Sequence, residues 1–234
     1  MACVHDPLPF GSLCTDDANE CTLDVCQPGP DGPACNHSPL TYGSACDDRS
    51  PCTQYDACNG VGACIGSAPV LDCRSAGKAN LAIKNAGDDG GDLVAYSWRR
   101  GAATDESELG DPTTTTNYTL CVFDGSGRLQ MSASVPAGGQ CGDAACWKRK
   151  AKGYAYKDDL KPSAGIRKVR LRPGEAERFA GSVRGNGANL TVPVLPLTPP
   201  LLVQVINDDT GVCFKSDFDS PSRNTAKILQ ASTP

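Results

Sequence analysis

The chain has 234 residues, with 22 lysines and arginines against 27 aspartates and glutamates, and its net charge is −5. This acidic balance argues against nucleic acid as a partner, and no apolar run approaches the ~20 residues that a membrane-spanning helix needs. The 25 glycines and 18 prolines interrupt long helices, and with 6% aromatic residues they predict a mainly β chain rich in loops.

Cysteine usage divides the chain into two parts. Ten of the 14 cysteines fall within the first 73 residues, namely Cys3, Cys14, Cys21, Cys26, Cys35, Cys46, Cys52, Cys58, Cys64 and Cys73. An even number of cysteines, concentrated in a short polar stretch, predicts disulfides formed in an oxidising compartment, and hence a secreted, extracellular or cell-surface protein. We predict a disulfide-stapled repeat arm over residues 1–73, a linker over 74–78 and a second domain over 79–234.

Charge is distributed unevenly between these parts. Residues 1–73 hold ten acidic residues and one basic residue, whereas residues 74–234 hold 17 acidic and 21 basic residues. One interpretation is a solvated acidic module beside a mildly basic one. The other is attraction between the two parts, or between successive copies in an assembly, which salt would screen over ~10 Å.

The arm contains an internal repeat. Segments that begin at Gly11 and Gly43 align without gaps at their starts, and they place Cys14 opposite Cys46, 32 residues later. Each repeat has few large apolar residues, so disulfides worth ~2–4 kcal/mol each must substitute for a core. The arm has no C-x-x-C spacing, which argues against sulfur ligation of zinc or iron.

Cys3 belongs to neither repeat. It precedes Cys14 by the same eleven positions that separate Cys35 from Cys46, so we expect it to be the last cysteine of an upstream copy. Its expected partner is Cys73 if the arm folds back on itself, and Cys14 or another near neighbour if the arm is extended. Met1 leads directly to Cys3 without a signal peptide, so we expect the start of a mature, trimmed fragment or a chosen boundary.

The segment Cys21-Thr22-Leu23-Asp24-Val25-Cys26, echoed less closely by residues 52–58, carries a family resemblance. It is similar to the CTDC-type extracellular repeat of slime-mould matrix and spore-coat proteins and of large secreted myxobacterial proteins. The second copy departs from the pattern by one inserted residue before its aspartate. The resemblance implies an extracellular spacer or matrix module.

Carboxylates recur at equivalent places in the two repeats. Oxygens of Asp16, Asp17, Asn19 and Asp24, with a second set at Asp47, Asp48 and Asp56, could bind Ca²⁺, the one cofactor that the sequence suggests. The alternative is that these side chains bond nearby backbone in turns. A calcium loop with a D-x-D-x-D-G pattern and a closing glutamate is missing, which favours the turns.

The second domain reads as a series of short strands. Apolar alternation begins at Leu81, and turn signals separate strands that we predict near residues 94–98, 118–123, 129–135, 153–157, 166–171, 178–183, 201–206, 212–216 and 226–229. About ten such strands predict an antiparallel β-sandwich. The fold class is therefore mainly β, with a disulfide-stapled repeat arm and a sandwich.

Four cysteines remain for the second domain. Cys141 and Cys146 could close a small hairpin loop, and Cys121 and Cys213 would then pair across neighbouring strands.

Residues 110–125, Cys146-Trp147-Lys148 and Gly153-Tyr154-Ala155-Tyr156-Lys157 carry a second resemblance. They resemble a domain at the carboxyl end of secreted repeat proteins of deltaproteobacteria. That domain has no established activity, so the resemblance implies secretion and supplies no chemistry.

Residues with catalytic chemistry are few. His5 and His37 are the two histidines, both within the arm, and motifs of serine hydrolases, zinc proteases and P-loop enzymes are absent. We therefore expect a protein that is not an enzyme.

Surface chemistry offers two kinds of candidate. A platform on which sugars stack could be formed by Trp98, Tyr118, Trp147, Tyr154 and Tyr156. The alternative, which we favour, places Trp98 and Tyr118 in the core and the other three at its rim. Asn36, Asn117 and Asn189 open N-x-S/T sequons, and Thr114 lies in a threonine run suited to O-linked sugar.

Basic runs occur at residues 148–150 and 167–172, and they could contact acidic polysaccharide. On a strand, the second run would place charges on both faces, so we expect one of its faces at an edge or interface.

The sequence predicts an extracellular structural or adhesive protein that builds a surface matrix, layer or filament by self-association. The alternative is a secreted carbohydrate-binding module with the arm as spacer. We expect partners among other copies, matrix components or polysaccharide, but no nucleic acid and no membrane span.

Overall fold

The computed structural model describes residues 11–14, 16–29, 32–66, 68–160 and 163–233. The chain forms two compact units, residues 1–68 and residues 69–234, called unit 1 and unit 2. Unit 1 corresponds to most of the predicted arm. The boundary comes before the predicted linker, because residues 74–78 belong to a long strand of unit 2. Cys3 and His5 lie outside the described residues.

Unit 1 is built from short hairpins. Its strands are β1 (Thr22–Gly29), β2 (Gly32–Pro39), β3 (Thr53–Gln54), β4 (Ala57–Cys58) and β5 (Cys64–Ile65), and β6 (Ala68–Pro69) lies at the boundary. Strands β1 and β2 pair with Cys26 opposite Cys35, and β4 and β5 pair with Cys58 opposite Cys64. The third and fourth cysteines of each predicted repeat therefore lie opposite each other in a hairpin.

Unit 2 contains the longer strands. They are β7 (Arg74–Lys84), β8 (Leu93–Gly101), β9 (Tyr118–Phe123), β10 (Leu129–Val135), β11 (Gln140–Cys141), β12 (Ala144–Ala145), β13 (Trp147–Lys150), β14 (Gly153–Lys157), β15 (Ile166–Arg172), β16 (Phe179–Asn186), β17 (Leu201–Asn207), β18 (Cys213–Phe218), β19 (Arg223–Asn224) and β20 (Ile228–Ser232). Two short 3₁₀ turns cover Asp89–Gly91 and Glu106–Leu109. Nowhere in the described ranges is there a helix long and apolar enough to cross a membrane.

The strands of unit 2 form a sandwich of two layers joined through β7. One layer has the order β10-β9-β17-β18, and the other runs β20-β7-β8-β16-β15-β14-β13. The first residues of β7 pair in parallel with β18, whereas its remaining length pairs antiparallel with β8 and β20. This confirms the predicted mainly β class with an antiparallel sandwich, to which one short parallel pair is added.

Alternating apolar residues fill the space between the layers. Tyr96 and Trp98 from one layer face Phe214 and Ser216 from the other, and the Tyr96 hydroxyl lies 2.7 Å from the Ser216 hydroxyl. Burial raises the pKa of Tyr96 well above its ordinary value, so its phenol stays protonated. The core thus combines apolar burial with one cross-layer hydrogen bond.

The disulfides of unit 2 confirm one prediction and correct another. Cys141 and Cys146 are bonded across the β11–β12 hairpin, as predicted. Cys213 is bonded to Cys73 and not to Cys121. Strand β17 lies between β9, which carries Cys121, and β18, which carries Cys213. Strands two places apart are separated by ~10 Å, beyond the ~7 Å limit that a disulfide spans between Cα atoms. Cys121 is disulfide-bonded as well.

Candidate functional site

The disulfides of unit 1 follow the repeat. Cys14 is bonded to Cys35, and the equivalent Cys46 is bonded to Cys64, so each repeat joins its first cysteine to its fourth. A third bond joins Cys21 in the first repeat to Cys58 in the second, with 5.4 Å between their Cα atoms. Consecutive repeats are therefore covalently linked to each other as well as closed internally.

These bonds exclude the two named partners of Cys3, which itself lies outside the described residues. Cys14 is bonded to Cys35 and Cys73 to Cys213, so both named candidates have other partners. The parallel pairing of β7 with β18, which sequence could not show, brings Cys73 to Cys213. Among the other arm cysteines, Cys52 is disulfide-bonded and Cys26 is fully buried.

The aspartates of the two repeats make the same turn. Asp16 Oδ1 accepts the amide of Ala18 at 2.7 Å, and Asp47 Oδ1 accepts the amide of Arg49 at 2.7 Å. One residue later, Asp17 and Asp48 each accept the amide two positions ahead, both at 2.9 Å. Ala18 and Arg49 both have positive φ angles. The carboxylates thus stabilise a left-handed turn position, the alternative to calcium that the sequence offered.

The predicted calcium ligands are only partly brought together. Asp17 and Asp24 place ligand atoms within 4.8 Å of each other and of His37, whereas Asp16 is not in this group. In the second repeat, Asp47, Asp48 and Asp56 all place ligand atoms within the same distance of one another. Asn19 accepts the amide of Cys21 at 3.0 Å. His37 Nδ1 lies 2.7 Å from Asp24 Oδ1 and 3.4 Å from Asp17. The protonated His37 imidazole can therefore supply beside Asp17 and Asp24 the positive charge that a calcium ion would otherwise provide.

The second repeat lacks this histidine. Gly66 stands two positions after the fourth cysteine, where His37 stands in the first repeat, and a Cβ there would lie 2.2 Å from the Thr53 Cβ. Within the described ranges, Asp56 Oδ1 is buried without a hydrogen-bond partner. Burial, with smaller contributions from the charges of Asp48 and Asp47, raises the pKa of Asp56. The two repeats therefore share a backbone but differ in charge balance.

We predict that the His37–Asp24 pair makes the stability of unit 1 depend on pH. The hydrogen bond with Asp24 raises the pKa of His37 above its ordinary 6.5, and the same bond lowers the pKa of Asp24 below 3.8. The contribution of His37 is present at low pH and is lost as pH rises through its raised pKa. That of Asp24 is lost as pH falls through its lowered pKa. Titration of the His37 ring by NMR should show the raised pKa.

Asp24→Asn is the matched variant for this titration. It keeps the side-chain size and removes the charge, so the pKa of His37 should move back towards 6.5. An unchanged His37 titration in this variant would show that Asp24 does not hold the imidazolium.

The predicted aromatic platform is buried. Trp147, Tyr154 and Tyr156 are 2%, 7% and 3% exposed, so they lie in the core and not at its rim. The Trp147 ring lies 6.0 Å from Tyr118 and 5.2 Å from Tyr156 between ring centres, and its indole N–H donates to the Pro136 carbonyl at 2.9 Å. These rings cannot offer their faces to a sugar.

The opposite face of the same strands carries a basic groove. The groove has a volume of about 580 Å³ and lies over β13, β14 and β15, beside the loop that the Cys141–Cys146 disulfide closes. Its charged lining residues are Lys148, Lys150, Lys157, Lys168, Arg170 and the single carboxylate Asp159. Register explains the grouping, since Lys148 lies opposite Ala155 and Ala155 lies opposite Arg170. The two basic runs of the sequence therefore meet in space.

A β-bulge puts the charges of β15 on one face. The register with β16 shifts between Ile166 and Lys168, and Arg167 and Lys168 are both exposed. Beyond the bulge, Val169 and Leu171 point into the core while Arg170 and Arg172 point outward. The expectation of charges on both faces was wrong, because the extra residue resets the alternation.

The four candidate glycosylation residues are all on the surface. Asn36, Asn117, Asn189 and Thr114 are exposed. Asn117 Oδ1 also accepts the amide of Ala137 at 2.8 Å, which ties this side chain to the loop after β10.

No protein-family model, curated protein or solved structure matches the chain. Both resemblances drawn from the sequence therefore stay predictions.

Proposed function

We propose that this chain is an extracellular structural or adhesive protein, in which unit 1 is a disulfide-stapled spacer and unit 2 a binding or packing module. The disulfide pattern of unit 1 carries the proposal. Each repeat is closed by one bond, and the Cys21–Cys58 bond joins the two repeats. Covalent links restrict the unfolded chain, so such a spacer resists unfolding where a core this small would not.

Exposed apolar side chains on unit 1 support self-association. Six large apolar residues there are at least 44% exposed, namely Leu13, Leu23, Tyr42, Tyr55, Val61 and Ile65. Leu23 and Tyr55 occupy equivalent positions in the two repeats, directly before Asp24 and Asp56. An apolar side chain repeated at the same exposed position suits contact with a second copy of the chain.

A catalytic role has less support. In the part of the chain that the structure describes, His37 is bound by carboxylates, and no hydroxyl or thiol is hydrogen-bonded to its ring. The alternative is a carbohydrate-binding module. Its predicted aromatic platform is buried, but the basic groove of unit 2 is a specific observation in its favour.

Self-association is the property to measure. Sedimentation velocity and electron microscopy of the purified full chain should show assemblies that grow with concentration. Leu23→Ser with Tyr55→Ser should weaken assembly by at least ~10-fold, because each exposed apolar group buried at a contact is worth ~1–2 kcal/mol. The matched control is Leu71→Ser with Val194→Ser, which changes two residues of unit 2 that are 55% and 84% exposed, against 47% and 69% for Leu23 and Tyr55. A monomer at every concentration, or equal effects of the two variants, would contradict self-association through unit 1.

A further inference from the structure

We propose that the basic groove of unit 2 is a binding site for an acidic polysaccharide, a sugar polymer that carries carboxylate or sulfate groups. The site combines five cationic side chains over three strands with a floor of small apolar residues. It names a partner for the proposed adhesive role and rests on the extracellular setting of that role.

Four of the five cationic side chains of the groove have no ion-pair partner among the residues that the structure describes. Asp159 lies 2.5 Å from Lys157 and 3.2 Å from Arg167, but in the described ranges Lys148, Lys150, Lys168 and Arg170 form no ion pair. Lys157 and Lys168 also face each other directly across β14 and β15. Like charges directly opposite on a sheet are destabilising, so this arrangement costs stability in the free protein. A bound anion would remove that cost.

The cationic surface extends as a track. Arg170 lines the groove and also a second depression of about 160 Å³, which Arg172 shares with Gly181 and Ser182 on β16. Cations therefore follow one another across three neighbouring strands, β13 to β15, at the ~4.8 Å strand spacing, and continue along β15 to Arg172. An extended track matches a polymer with repeated negative groups better than a single small anion.

The lining favours sugar over nucleic acid. The groove has apolar lining residues at Ala144, Ala145, Ala155 and Leu160. The one aromatic residue in its lining, Tyr156, is only 3% exposed. Single-stranded nucleic acids bind largely by stacking their bases on exposed aromatic rings. Small apolar side chains beside cations instead suit the aliphatic face of a sugar ring and its charged substituent.

The acidic unit 1 of a second copy is a poorer occupant. Asp16, Asp17, Asp47 and Asp48 already accept backbone amides in their own turns. These bonds hold one oxygen of each carboxylate and fix its orientation, whereas the charged groups of a polysaccharide can turn to meet each cation. This freedom of orientation favours the free polymer.

Binding of polygalacturonate by the full chain, followed by titration calorimetry, tests the proposal. Lys168→Gln with Arg170→Gln should weaken binding by ~10-fold or more, and raising salt from about 50 to 200 mM should weaken binding of the native chain by a similar factor. The matched control is Lys84→Gln with Lys227→Gln. It removes the same charge from exposed positions of unit 2, and Lys84 lies on β7, three strands away from β15. The control should bind within ~2-fold of the native chain.

Three results would overturn the proposal. Equal binding of neutral dextran would show that the cations do not select the ligand. Equally tight binding of duplex DNA, at the same concentration of negative charge, would show that the groove does not prefer polysaccharide to nucleic acid. Equal losses in the groove and control variants would show that net charge, and not the groove, attracts the polymer. Since binding is read on single chains at low concentration, a failure here is separate from a failure of self-association.

Discussion

Replacing Cys73 and Cys213 together by serine should lower the free energy of unfolding of unit 2 by ~4–5 kcal/mol, the largest single effect that we expect. The two cysteines are 140 residues apart in sequence, so their bond closes most of unit 2 into one loop. In the chain-entropy account, the stabilisation grows with the logarithm of loop length and reaches ~5 kcal/mol at this size.

The surroundings of the bond support a large cost. Cys73 and Cys213 are buried, and the parallel pairing that brings them together covers only two residue pairs, Arg74 with Phe214 and Ser75 with Lys215. Gln204 donates from Nε2 to the Val70 carbonyl at 2.7 Å and to Cys73 Sγ at 3.1 Å. Without the bond, the two residue pairs and the Gln204–Val70 hydrogen bond are left to hold the start of β7 in this part of the sheet.

Chemical denaturation of both disulfide variants measures this effect. Cys141→Ser with Cys146→Ser is the matched control, because those cysteines are only five residues apart and their loop accounts for ~2 kcal/mol. If the two double variants lose the same stability, loop entropy is not what the Cys73–Cys213 bond contributes.

Much of the sandwich can be predicted from local sequence. The predicted strands near residues 118–123, 129–135 and 153–157 coincide with β9, β10 and β14. Glycine-containing turns separate β9 from β10 and follow β10, and β10 and β14 alternate cleanly. The alternation of apolar residues and the position of turn residues are local properties of the sequence, so both can be recognised without knowing which strands pair.

Long-range features needed the structure. Strand β13 was missed because Lys148, Arg149 and Lys150 follow one another without apolar alternation. Residues 74–78 were expected to form a linker because they are small and polar, yet they extend β7 by pairing with β8 and β18. The neighbouring strands supply the hydrogen bonds that make these residues a strand, and no local pattern in residues 74–78 predicts that pairing.

The basic groove likewise combines features that local sequence predicts with features that only strand pairing determines. Sequence identified both basic runs, but only the β13–β14–β15 register brings Lys148 near Arg170. The alternation of Tyr154 and Tyr156 with Ala155 shows that the rings share a face, but not which face is buried. The cations of the neighbouring strands decide this, since charged side chains keep to water and leave the rings to the core.

Trp147→Ala should be the second most damaging change, with a loss of ~3–5 kcal/mol in the free energy of unfolding. The ring is 2% exposed and packs between Tyr118 and Tyr156, so its removal leaves a large cavity between the two layers. Trp147→Phe keeps most of the packing but removes the donor to the Pro136 carbonyl, and it should cost less, ~1–2 kcal/mol. Thermal and chemical denaturation of both variants measure the difference.

The same variant separates folding from binding. Trp147 points away from the basic groove, although its neighbour Lys148 lines it. At a temperature where Trp147→Ala remains folded, its affinity for polygalacturonate should stay within ~2-fold of the native value, while Lys168→Gln with Arg170→Gln loses affinity without losing stability. A folded Trp147→Ala protein with ~10-fold weaker binding would mean that the indole, and not the cations alone, holds the polymer. Sugar recognition would then have to involve a ring that opens out of the core.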